Sequence, residues 1–387
     1  MLGFFGIVYL ITNIIAMFWV PWSGTLVDKY DRKKLFLFIT ATGASFLALI
    51  SGYGHIATEL PIAVVASVFV FTFLHYNIHY PNLYAFVQEI TPKEKYSKMT
   101  SLLEIIGQCT TVSAGAVSTL LLEGTEGGLL KIFGTSIDIG MDITPWSIEK
   151  IFLLDMSTYF VAFGIISLIQ YIPLAKRSEE VGSLVERLKT GWRYLTSHKN
   201  VFWFGVLSYM VFLAMLLEAF YLGVSYVDNH LQGSGDVYAN SKMTYALGAI
   251  CTGLTLKYLF TRVSLPLITV ILTFVTGMIF YVQYSSNSIS TYLIMLFVLG
   301  ITNSGTRISR ITYLFRNVPN QYFGRSGSIF FLSNIFFRVI LLAIFTQPFY
   351  QTANNIIYAY LITSVVLFAA VILLIYHYKS FDLSHTA

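Results

Sequence analysis

Eleven runs of about twenty residues, almost free of charge, follow one another along this chain: 1–23, 36–54, 61–88, 101–122, 151–172, 203–227, 238–260, 264–284, 289–312, 326–346 and 353–377. A segment of that length and polarity matches the hydrocarbon thickness of a bilayer when it is helical. The runs are too long for barrel strands and lack their strict alternation. The expectation is therefore an all-α, polytopic membrane protein with eleven transmembrane helices. Composition agrees, since 56% of the 387 residues are hydrophobic and only 11% are charged, whereas a soluble domain carries about a quarter charged residues.

The turns between the runs test this reading independently. One set is basic: Lys29, Arg32, Lys33 and Lys34; Lys93, Lys95 and Lys98; Lys176, Arg177, Arg187, Lys189, Arg193 and Lys199; Lys257 and Arg262; Arg316 and Arg325; Lys379. The alternate set is acidic or uncharged, and includes a long segment, 123–150, with Glu123, Glu126, Asp138, Asp142 and Glu149. Basic turns stay in the cytoplasm, which predicts a cytoplasmic C-terminus and an extracytoplasmic N-terminus. The net charge of +5 is spread over short turns, so it gives no nucleic-acid surface. No basic residue precedes the first run, as it would in a signal peptide. No Gly-rich phosphate loop is present, which excludes an ATP-driven pump. Cys109 and Cys251 fall inside apolar runs and are expected to fill small packing positions.

The two halves repeat each other. "GTLVDKYDRKK" at 24–34 has a worn counterpart in "GLTLKYLFTRV" at 253–263, and "PKEKYSKMTS" at 92–101 has one in "PNQYFGRSGS" at 319–328. Pro92 answers Pro319, Tyr96 answers Phe323, Lys98 answers Arg325 and Ser101 answers Ser328. Duplicated halves are a transporter signature, with the substrate site at their interface near the bilayer midplane. The expected division is an N-terminal bundle over 1–172, a linker over 173–202 and a C-terminal bundle over 203–387. One helix precedes the motif at Gly24, but a further one, 203–227, stands before the helix ending at Gly253. The repeat therefore predicts a twelfth helix ahead of Met1, with Met1 an internal methionine or the gene truncated.

Gly24, Leu26, Asp28, Arg32 and Lys33 form a pattern that resembles the cytoplasmic signature of the major facilitator superfamily. Asp31 beside Arg32, "FLLDMSTYF" at 152–160, "LKTGWRYLTSHKNVFW" at 188–203 and "RNVPNQYFGRSGS" at 316–328 resemble the drug-efflux branch that includes macrolide and siderophore exporters. The resemblance implies two helical bundles, alternating access and a small-molecule substrate. It also makes Gly24, Asp28 and Arg32 a conformational latch, with the Asp lying against the N-terminus of the helix that begins near Ser326. A carboxylate there is favoured by about 0.3–1 kcal/mol. Two departures stand out. The Arg of the family's fourth helix is replaced by His75 and His79 in "FTFLHYNIHYP", and the Gly-Pro pair of antiporters is missing from "GQCTTVSAGAVST" at 107–119.

Ionisable residues inside the spans are costly and therefore candidates for function. Arg338, in "FLSNIFFRVILL", is expected either to meet substrate or a counter-ion in the cavity or to pair with a carboxylate on a neighbouring helix. Glu218, in "MLLEAFYLG", is the candidate coupling group, the alternative being a solvated position near the outer surface. Asn303 and Arg307, in "GITNSGTRISRITYLF", are candidate cavity residues, whereas Arg310 is expected to snorkel to the cytosol. His75 and His79 share a helix face but lack the acidic or Cys partners of a metal site. Hydrogen-bonded packing is expected for both, with proton sensing the alternative, and His75 is a candidate cavity or coupling residue. Ala246, Gly248, Ala249 and Gly253 suggest close helix packing, and 178–200 an amphipathic linker helix.

These readings give an ion-coupled exporter of amphipathic small molecules, drug or siderophore in type, monomeric in the cell membrane. No metal, cofactor or enzymatic activity is expected. Membrane lipid is an expected partner and protons the expected coupling ion. The alternatives are a lysophospholipid or nutrient carrier of the same fold, or a transport-inactive membrane protein serving as sensor or scaffold.

Overall fold

The computed structural model describes residues 2–57, 60–92, 95–125, 128–132, 135–138, 140–171, 184–259 and 263–382. The helices are α1 (Leu2–Lys29), α2 (Arg32–Ala57), α3 (Ile62–Ile90), α4 (Tyr96–Glu123), α5 (Ile148–Leu168), α6 (Leu184–Ser197), α7 (Lys199–Leu217), α8 (Gly223–Asn229), α9 (Gly235–Leu259), α10 (Leu265–Ser285), α11 (Ile289–Asn317), α12 (Asn320–Phe345), α13 (Pro348–Gln351), α14 (Ile356–Tyr376) and α15 (Tyr378–Asp382). A π-helical turn, Glu218–Leu222, joins α7 to α8 in one continuous rod. Ten helical stretches among the described residues are long and apolar enough to cross a membrane. The sequence suggested eleven. The difference is α9, which is 25 residues long but is diluted by polar residues such as Asn240, Ser241, Lys242 and Thr244.

The segment 123–150 holds structure that the sequence did not announce. Strands β1 (Leu129–Ile132) and β2 (Thr135–Asp138) pair antiparallel, with Leu129 opposite Asp138 and Ile132 opposite Thr135. Gly128 and Gly140 take φ of 75° and 69° at its base, a region that favours glycine. The base is closed by Ile143 N donating to Thr125 Oγ1 (2.8 Å) and Trp146 N to Leu121 O (2.7 Å). Four-residue strands are too short to show a readable period of two.

Two groups of helices pack separately. In one, α2 meets α3 and α5, and α1 meets α3; Val27, Leu35, Ile39 and Ile78 form its small core. In the other, α7 runs through the middle and touches α10, α11, α12 and α14, within a much larger core that includes Phe204, Phe280, Phe330 and Tyr360. The sequence expectation of close packing along α9 is met at Gly248 and Gly300. A Cβ on Gly248 would strike the Phe297 carbonyl, and one on Gly300 the Tyr245 carbonyl. The backbones of α9 and α11 therefore touch through reciprocal glycines.

The groups meet at two seams, α4 on α9 and α1 on α12. Ala16 and Val20 of α1 pack against Ile335 of α12. Linker helix α6 lies on α12, with Gly191 against Arg325 and Ile329 and Tyr194 stacked on Tyr322 (centroids 4.5 Å). Cys109 and Cys251 correct the sequence expectation, for both are exposed on helix surfaces.

Candidate functional site

The charged turn between α1 and α2 is a knot of specific contacts. Asp31 Oδ1 accepts from the Lys34 backbone N–H (2.8 Å), which caps the start of α2. Lys33 Nζ donates to the carbonyls of Ser167 (2.8 Å) and Ile169 (2.7 Å). A cation thus satisfies orphan carbonyls at the C-terminus of α5. Arg32 is buried, 4% exposed, with Nε 3.4 Å from Glu89 Oε1 on α3. Tyr171 donates its hydroxyl to Glu89 Oε2, and Asn82 Nδ2 donates to the Arg32 carbonyl (3.0 Å). Burial, and then the Glu89 carboxylate that it meets, push the Tyr171 phenol up. Glu89 and Tyr171 were not singled out from sequence. The one readable signal was that both lie at span ends on the side of the basic turn.

The other two latch residues fare differently. Gly24 is an interior residue of α1, and a Cβ there would meet nothing within 4 Å. No close backbone approach therefore calls for a glycine at this position. The Asp28 side chain lies outside the described residues.

Glu218 opens the π-helical turn and is 1% exposed, not solvated. Tyr292 donates to its Oε1 (3.0 Å) and Tyr360 to its Oε2 (2.6 Å). Gly223 makes room for the carboxyl, since a Cβ there would lie 2.9 Å from Oε1 and 3.0 Å from the Tyr292 hydroxyl. The neighbouring Ala219 carbonyl accepts from Tyr238 OH (2.6 Å) and Lys242 Nζ (3.0 Å). Such π-turns concentrate at functional positions because they redirect backbone groups.

Arg338 lies fully buried at the α1–α12 seam. Its Nε donates to Asn13 Oδ1 (2.6 Å) and its Nη1 to Asn334 Oδ1 (3.0 Å). The paired-carboxylate alternative is not what forms: among the described residues no carboxylate oxygen lies within 4 Å of it, the ion pair being Arg32–Glu89. Arg338 and Glu218 are thus separate sites.

Asn303 is buried, with Nδ2 donating to the Tyr245 hydroxyl (2.6 Å), and Arg307 stands one turn further along the same face. Arg310 corrects the snorkelling expectation. It is 4% exposed, donates from Nη1 to Ser208 O (3.0 Å) and stacks 3.8 Å from the Tyr209 ring centroid. A desolvated cation–π contact and a backbone acceptor hold it inside the bundle. His75 Nε2 lies 3.2 Å from Thr42 Oγ1 and its ring packs on Phe71, while His79 packs on Phe36.

Against known proteins, the family model described as Major Facilitator Superfamily matches residues 1–342. No curated protein matches the sequence. Several solved structures are similar to this chain. The inward-facing bacterial homologue of the iron transporter ferroportin gives a TM-score of 0.66 at 15% identity, over 96% of this chain and 90% of that one. The E. coli fucose:proton symporter FucP gives 0.61 at 14%, over 95% and 90%. The nucleoside transporter NupG gives 0.60 at 14%, over 100% and 91%. At these identities the likeness shows the fold. Two helix groups meeting at paired seams, membrane-length helices and a family match over most of the sequence agree: the chain belongs to the Major Facilitator Superfamily and is a multi-pass membrane transporter, not an enzyme.

Proposed function

We propose that this transporter exports amphipathic small molecules by alternating access, driven by an ion gradient, with Glu218 as the coupling group. The observation that carries this reading is the Glu218 site itself. A fully buried carboxyl that accepts from two phenols can take up or release a proton without breaking an ion pair. The seams α1–α12 and α4–α9 are where the two bundles would rock, the N-terminal one over 1–172 and the C-terminal one over 203–387. Gly24, Asp28 and Arg32 would act as the latch at the basic end, with the Arg32–Glu89–Tyr171 group anchoring it. That end, and with it the C-terminus, would face the cytoplasm of a cell membrane, and the protein would work as a monomer.

The similar structures bear names of nucleoside, fucose and iron transport, so uptake of a nutrient is the second reading. Cells loaded with fluorescent amphipathic dyes decide between them. Export predicts that dye retention falls when the protein is present and recovers with a proton uncoupler. Retention that does not respond to the protein contradicts export, and protein-dependent accumulation favours uptake.

A further inference from the structure

Arg338 is a fully buried cation with no carboxylate within 4 Å among the described residues. It stands at the seam between the two helix groups, and both of its acceptors, Asn13 and Asn334, are neutral. These use two of the five guanidinium N–H bonds. A second buried guanidinium, Arg310, is reached from Asn334 through Tyr209. Asn334 Nδ2 donates to the Tyr209 carbonyl (3.0 Å), and the Tyr209 ring carries Arg310. Neither arginine has a carboxylate within 4 Å among the described residues. Glu218, the buried carboxylate of that helix group, is bonded to Tyr292 and Tyr360 instead. An isolated charge in the hydrocarbon region is retained where it serves a path.

We propose that Arg338 receives the anionic group, a carboxylate or a phosphate, of an amphipathic substrate at the seam between the halves. This rests on the transport reading and adds the substrate's charge class to it. The planar guanidinium fork matches two oxygens of such a group. Asn13 comes from α1 and occupies Nε only while α1 and α12 are closed on each other. When the seam opens, the anion replaces the amide oxygen, so binding favours the separated halves. Beside Arg338, Tyr9 packs with Phe69, Phe73 and Phe220 at centroid distances of 5.4 to 6.0 Å. These rings supply an apolar wall for the substrate's body.

The test is thermal unfolding of the purified full chain in detergent, titrated with benzoate, phenyl phosphate and the neutral benzamide. At least one of the two anions raises the midpoint saturably, benzamide does not, and Arg338→Gln loses the response. The preferred anion tells a carboxylate site from a phosphate site. Asn13→Ala removes the neutral competitor and tightens anion binding about tenfold, as expected for a hydrogen bond to a charged group. This second variant keeps Arg338 and serves if Arg338→Gln does not fold. Equal responses to benzoate and benzamide, an anion response that survives in Arg338→Gln, or no response to either anion overturns the proposal. The assay needs no transport. Anion binding without dye export sinks the exporter reading alone, whereas export of neutral dyes without anion binding sinks this one alone.

Discussion

Arg32 is buried in the charged turn, and Glu89 is the partner that sets the cost of keeping it there. With Glu89→Gln, Arg32 stays buried and loses its anion, which costs about 3 kcal/mol; thermal unfolding in detergent reads this as a lowered midpoint. Tyr171→Phe removes a donor to the same carboxylate, a loss of about 1 kcal/mol. The Tyr171 phenol is raised in the folded protein, so its contribution is complete below its ordinary value near 10. That contribution is lost as pH rises through the higher folded value. The midpoint difference between wild type and Tyr171→Phe should therefore be full at pH 8 and shrink above pH 10, in a pH series of unfolding scans. Gly223→Ala tests the Glu218 pocket: the new methyl would lie 2.9 Å from Oε1. It should cost about 1–3 kcal/mol by overpacking, again read from the midpoint.

The helices were readable because a bilayer demands about twenty apolar residues in a row, and that demand leaves a long, local trace. Interhelical partners leave no such trace. Glu218 and Arg338 stood out as charges in apolar runs, but Tyr292, Tyr360, Asn13 and Asn334 are distant in sequence and ordinary in type. Arg310 was misjudged for the same reason, since the ring that holds it belongs to α7. The hairpin β1–β2 escaped because it is held by turns and its base, not by a patterned run. Close packing on α9 was legible from its small residues, although its partner Gly300 was not. Gly300→Ala forces α9 and α11 apart, because the obstacle is a backbone carbonyl that cannot swing away. It should cost about 1–3 kcal/mol, read as a lowered midpoint in unfolding scans.

At the scale of the molecule, the two groups are unequal. α7 runs through a broad core and buries most of its length, whereas α5 has no buried residue, and α4 finds its main neighbour, α9, across the seam. The seams α1–α12 and α4–α9 pair an early helix of one group with a late helix of the other, the arrangement that a duplicated pair of bundles produces. Rocking about them would carry Arg338 and Asn13 apart while the Glu218 site stays within one group. On that proposal, proton exchange and the seam would be linked through the continuous rod that α7, the π-turn and α8 form. The most direct measurement is dye accumulation by inverted membrane vesicles under an imposed proton gradient, comparing wild type with Glu218→Gln. The account predicts that wild type concentrates dye and stops when an uncoupler is added, and that Glu218→Gln carries dye only down its own gradient. Undiminished uphill accumulation by Glu218→Gln would contradict it.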